Sequence, residues 1–91
     1  MIAMSTKEKL FEDFGGMVVE MRKLILFNSS HTWDEVIEQL MKATGYDPVH
    51  CEQIAMIAHT KGKAVVKSGD VDELSHINFI LKEINLVTTI E

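Results

Sequence analysis

Apolar residues recur along this chain at two spacings, and the switches between them mark out six elements. Leu24-Ile25-Leu26-Phe27 is a continuous, partly β-branched run, which predicts a strand over Arg22 to Phe27 covered in part on both faces. Asn28-Ser29-Ser30-His31 has a turn composition. Thr32 with Glu35 forms a T-x-x-E capping box, the signature of a helix start. Trp33, Val36, Ile37, Leu40 and Met41 then fall at i, i+3, i+4, i+7 and i+8 and line one helical face. Gly45 is placed to end that helix in the left-handed conformation.

Asp47-Pro48 opens a second helix, with aspartate as cap and proline at the first helical position, where its missing N–H costs nothing. Cys51, Ile54, Ala55 and Ala58 form its apolar face, Lys61 suits the negative end of its dipole, and Gly62 closes it. Ala64-Val65-Val66 reads as a short buried strand, Ser68-Gly69 as a turn, and Asp70 with Glu73 as a second capping box. Val71, Leu74, Ile77, Leu81 and Ile84 run at helical spacing, and Leu86 to Ile90 is a β-branched final strand.

The order is β-α-α-β-α-β with short connections and no internal repeat. It predicts an α/β (α+β) sandwich: a three-stranded sheet with three helices packed on one face. A length of 91 residues holds one domain, placed at residues 22–91. Residues 1–21 are expected to be a mobile N-terminal extension, in which Lys7 to Phe14 could form a short helix before Gly15-Gly16. An isolated helix of that length is marginal in water.

Composition narrows the function classes. Hydrophobic residues at 46% and charged residues at 25% suit a globular fold. A net charge of −5 argues against nucleic acid as partner, because phosphates call for a lysine or arginine stripe. No apolar run approaches the ~18 residues of a membrane span. Lys7, Glu8 and Lys9 break up the start of the chain, so no secretory signal is expected. Cys51 is the single cysteine, which rules out an internal disulfide and suits a reducing compartment. Cytoplasm is the expected location.

Catalytic chemistry finds little to work with. Cys51 and His59 lie on one helix about 12 Å apart at ~1.5 Å per residue, too far for a nucleophile and its base. His31, His50, His59 and Cys51 show neither H-x3-H nor C-x2-C spacing, so neither metal nor other cofactor is expected. No phosphate loop or acid–base pair is visible, and the chain is read as a binding protein rather than an enzyme. Lys61, Lys63 and Lys67 read as a solvated face.

Four pieces then occur in an order that resembles the ClpS family of Clp-protease adaptors. They are LILFN at Leu24 to Asn28, TWDEVI at Thr32 to Ile37, HTKGKA at His59 to Ala64, and the closing LVTTIE. The resemblance runs from about Arg22 to the C-terminus, and the spacing from the asparagine to the histidine fits without a gap. It implies an adaptor that binds the N-terminal domain of a Clp-family AAA+ unfoldase. Such an adaptor delivers N-degron substrate proteins, those bearing a destabilising hydrophobic N-terminal residue.

A site for that task must satisfy a protonated α-amino group and bury a large apolar side chain. By the resemblance, the amine falls to Asn28, Ser29, Ser30 and His59, and the hydrophobic pocket to Thr32, Asp34, Ile37, Ala55, Ala58 and Leu86. The family carries N-D-D after the first strand, whereas Ser29 and Ser30 occupy the aspartate positions here. A hydrogen bond to a charged partner contributes about 1.5–3 kcal/mol against about 0.5–1.5 for a neutral one. Asp34 stands where the family usually has a methionine, and Ala55 and Ala58 are smaller than its usual methionine and valine. The pocket is therefore expected to be wider, or filled by a neighbour such as Met56 or Trp33. The third helix is about a turn shorter than usual, so unfoldase-binding positions cannot be carried over onto it.

Two other readings share the element order. One is a ClpS-like interaction domain that has lost degron binding, which the serine pair makes a live alternative. The other resembles the C-terminal domain of the ribosomal stalk protein, although its alanine- and glycine-rich, lysine-studded helix pair is missing here.

Overall fold

A computed structural model describes residues 20–91. The expected extension over residues 1–21 falls almost wholly outside them. Strand β1 (Arg22–Phe27) is followed by helices α1 (Trp33–Thr44) and α2 (Pro48–Lys61), strand β2 (Lys63–Gly69) and helix α3 (Val71–Leu81). A single 3-10 turn (Lys82–Ile84) then leads to β3 (Thr88–Ile90). The element order and the sheet with its three helices are as the sequence predicts.

Local chemistry accounts for the boundaries. Thr32 accepts from the Glu35 N–H at 3.3 Å while the Glu35 carboxylate accepts from the Thr32 N–H at 3.1 Å, which closes the capping box. Asp47 caps α2 by accepting from the His50 N–H at 2.8 Å. Gly45 and Gly62 end α1 and α2 at φ 77° and 91°, backbone conformations that glycine reaches without steric cost.

β1 is the central strand and pairs antiparallel with both neighbours, in the order β2-β1-β3. Leu26 faces Ala64 on one side and Thr88 on the other. Leu24 opposes Lys67 while Ile25 opposes Val65, so Val66 is the extra residue of a β-bulge. Leu24, Leu26, Ala64 and Val66 join Ile37, Leu40, Cys51, Ile54, Leu74, Ile77, Leu81 and Leu86 in one core. Val65 points the other way and is 47% exposed.

Four sequence expectations shift. β2 runs on through Ser68 and Gly69, which pair with Lys23 and Arg22, so the expected turn there is strand. Its interior is not uniformly buried either, since Ala64 and Val66 face the core while Val65 does not. The final strand begins at Thr88 rather than Leu86, because Asn85 turns through the left-handed region at φ 61° and Leu86 enters the core. At α3, Asp70 accepts from the Glu73 N–H at 2.9 Å, but the Glu73 carboxylate pairs with Lys67 Nζ at 2.7 Å. That carboxylate serves the end of β2 instead of closing a second box.

Gln39 is the one buried polar side chain among the described residues. Its Nε2 donates to the Ile80 carbonyl at 2.6 Å and to Glu83 Oε1 at 3.0 Å, and Lys42 Nζ reaches the same oxygen at 2.7 Å. This cluster ties α1 to the end of α3 and the turn that follows. Hydrogen bonds from Lys42 and then Gln39 hold the Glu83 carboxyl below the usual carboxylate range.

Candidate functional site

Where β1 ends, its ladder bonds continue on both sides. The Phe27 N–H donates to the Val87 carbonyl at 2.9 Å, and the Asn28 N–H donates to the Gly62 carbonyl at 3.0 Å. The polar loop Asn28–His31 thus starts from a point held by the segment before β3 and by the C-cap of α2. Thr32, already engaged by the capping box, sets the entry of α1 on the loop's far side.

Between these elements lies a cavity of about 270 Å³. Asn28, Ser29, Ser30, His31 and His59 supply its polar side, and Leu26, Phe27, Trp33, Val36, Ala55, Ala58 and Leu86 its apolar side. Helical spacing explains the α2 contribution: Ala55, Ala58 and His59 stand at i, i+3 and i+4 on one face. Leu86 reaches the cavity because Asn85 has just reversed the chain. Asn28, Ser30 and His59 are exposed, while Ser29 and His31 are half-buried.

Of the residues singled out from sequence, Asn28, Ser29, Ser30, His59, Ala55, Ala58 and Leu86 come together around this cavity. Thr32, Asp34 and Ile37 stand elsewhere. The Thr32 hydroxyl is spent on the Glu35 N–H. Trp33 and Val36 form the α1 wall, and Asp34 and Ile37 each follow one of them by a single residue, about 100° further round the helix. That rotation leaves Asp34 exposed and puts Ile37 into the core. Trp33, 42% exposed, takes the wall position beside the two small alanines, whereas Met56 is an exposed residue of α2.

His31, weighed from the sequence as a turn residue and a metal ligand but not as part of the site, also lines the cavity. Its Nδ1 lies 2.8 Å from Ser29 Oγ, and its Nε2 hydrogen-bonds the Ile84 carbonyl. One ring thereby bridges the polar loop and the turn that precedes Leu86. Asn-Ser-Ser-His carried no signal for this, since the acceptor is 53 residues away.

Among the described residues, the lining contains neither aspartate nor glutamate. It offers amide, hydroxyl and imidazole groups over an apolar floor. Cys51 lies outside it, fully buried, with Sγ 3.8 Å from the Tyr46 carbonyl, and burial pushes its thiol pKa up. Among the described residues no group of three histidine, cysteine, aspartate or glutamate side chains could hold a metal ion. No helix among them is long and apolar enough to cross a membrane.

Residues 19–85 match the family described as ATP-dependent Clp protease adaptor protein ClpS. Among solved structures, the chain is similar to Agrobacterium tumefaciens ClpS2 bound to L-phenylalaninamide. The two share 25% sequence identity over 79% of this chain and 95% of that one, with a TM-score of 0.66. No curated protein matches the chain.

Proposed function

We propose a substrate-delivery role from one premise: the chain belongs to the ClpS family of ATP-dependent Clp protease adaptors. In this reading it acts by binding rather than catalysis. One surface engages the N-terminal domain of a Clp-family unfoldase, and the cavity holds the first residue of a substrate marked by a large hydrophobic N-terminus. Asn28, Ser29, Ser30 and His59 receive the α-amino group, and Trp33, Val36, Ala55, Ala58 and Leu86 surround the side chain.

The observation that carries this is the two-sided cavity, polar along one loop and apolar below. A chain end with a hydrophobic first residue has the same division, with an amine and a side chain on one carbon. The similar A. tumefaciens structure carries L-phenylalaninamide, which combines a free amine with a benzyl group. Room is sufficient, since a cavity of about 150 Å³ already holds benzene.

Calorimetric titration with peptides beginning in Phe, Leu, Trp and Tyr tests the reading, with a peptide beginning in Asp as reference. Saturable binding to one or more of the first four supports it, together with loss on His59→Ala. A folded protein that binds none of them sinks the substrate half.

A second reading keeps the unfoldase contact and drops degron binding, and the absence of a carboxylate from the lining among the described residues favours it. Capture of a Clp unfoldase N-terminal domain without any peptide affinity would select that version.

A further inference from the structure

The hydrogen bonding of His31 determines what Ser29 can offer a ligand. The Ile84 carbonyl is an acceptor only, so the hydrogen in its bond to the imidazole sits on Nε2. A neutral imidazole has a single N–H, which leaves Nδ1 a lone pair. The 2.8 Å contact between Nδ1 and Ser29 Oγ is then made by the serine hydrogen. A serine hydroxyl ordinarily rotates and serves as donor or acceptor as its surroundings require. With the ring neutral and its hydrogen on Nε2, the only serine hydrogen is committed to His31, and what remains toward the cavity is lone pairs.

We propose that His31 is a positioning residue that holds the Ser29 hydroxyl as a pure acceptor, selecting a ligand head rich in N–H donors over an anionic one. The inference rests on the reading of the cavity as a binding site for a chain end. It supplies by hydrogen-bond orientation part of what a carboxylate would supply by charge. The same ring ties Ser29 to the turn before Leu86, so the polar and apolar walls of the cavity share a brace. His31 and Ser29 are both half-buried and both line the cavity.

Nitrogen-15 NMR of the histidine rings of the whole protein tests the hydroxyl orientation directly, at mildly alkaline pH where imidazole is neutral. The expected result is the Nε2–H tautomer at His31. An Nδ1–H tautomer, or rapid exchange between the two, overturns the proposal.

Titration with a peptide carrying a free N-terminal Phe tests the consequence. Loss of one hydrogen bond to a charged head is expected to weaken binding about tenfold on Ser29→Ala, and about tenfold on His31→Phe. Because both variants remove the same acceptor, the double variant is expected to lose no more than about twofold beyond either alone. His31→Gln, whose amide can donate to Ile84 and accept from Ser29, is expected to recover affinity to within about threefold of the parent. Independent, fully additive losses refute the proposal, as does a folded His31→Gln no better than His31→Phe. A parent protein that binds none of these peptides defeats the underlying reading of the cavity, whereas the tautomer still decides how Ser29 is held.

Discussion

Filling the cavity from its α2 wall separates a real binding space from a packing irregularity. Ala55→Leu adds three carbons at a residue that lines the cavity and is itself buried. Leucine and alanine are both good helix formers, so the backbone cost is a few tenths of a kcal/mol at most. A carbon removed from water contributes about 0.8 kcal/mol, which sets an upper bound of about 2.4 kcal/mol for three. Part of the new side chain stays in contact with solvent at the mouth, and a gain of about 1 kcal/mol is the working expectation. In a domain of this size that raises the melting temperature by about 4–8 °C. The same side chain takes the room of an incoming ring. A ligand side chain left outside forfeits about 1.5–3 kcal/mol of burial, or about ten- to a hundredfold in affinity. Thermal melting and titration with a Phe-initiated peptide measure the two effects on one sample. A fall in melting temperature matching the ~1–3 kcal/mol of an overpacked core would refute the argument. Unchanged peptide affinity would refute it from the other side.

Three further outcomes are expected. Gln39→Ala removes the donor that α1 presents to the Ile80 carbonyl and Glu83, at a cost of about 1–3 kcal/mol in chemical denaturation; a loss under about 0.5 kcal/mol, typical of plain surface positions, contradicts the clamp. The Glu83 carboxyl is held below its usual range by Lys42 and Gln39, and that of Glu35 by its bonding to Thr32, side chain first and then backbone. A carboxyl whose folded value is depressed contributes stability above its unfolded value and loses it as pH falls through the folded one. Acidification should therefore narrow the melting difference between the parent and Glu83→Gln, and a difference that widens would reverse the sign of the argument. The Cys51 thiol, raised by burial, should react with a thiol reagent only as the protein unfolds. Rapid labelling of the folded protein would show that α2 opens.

What could be read from sequence was set by the distance between cause and effect along the chain. Thr32 with Glu35, Asp47 with Pro48, and the two terminating glycines act within one helical turn, and each lies where its local chemistry predicts. The end of β2 was hidden because Ser68 and Gly69 are strand only through Lys23 and Arg22, far back in the chain. Helical phase explains the mixed result in α1. The residues bordering the cavity are Trp33 and Val36, and a rotation of about 100° per residue separates them from Asp34 and Ile37. Gln39 and His31 have the appearance of ordinary surface polar residues. Their partners, Ile80 and Glu83 for one and Ile84 for the other, become neighbours only once α3 has packed. Polar residues that satisfy remote carbonyls leave no periodicity to detect.

Among the described residues, the central place of β1 leaves both outer strands with one unpaired side, and open strand edges invite other chains to add on. β3 offers only three residues as a template. β2 is longer, but the bulge at Val66 interrupts its regular edge, and the exposed Lys63 stands at its start. The short edge and the kinked one discourage extended strands from docking on the sheet.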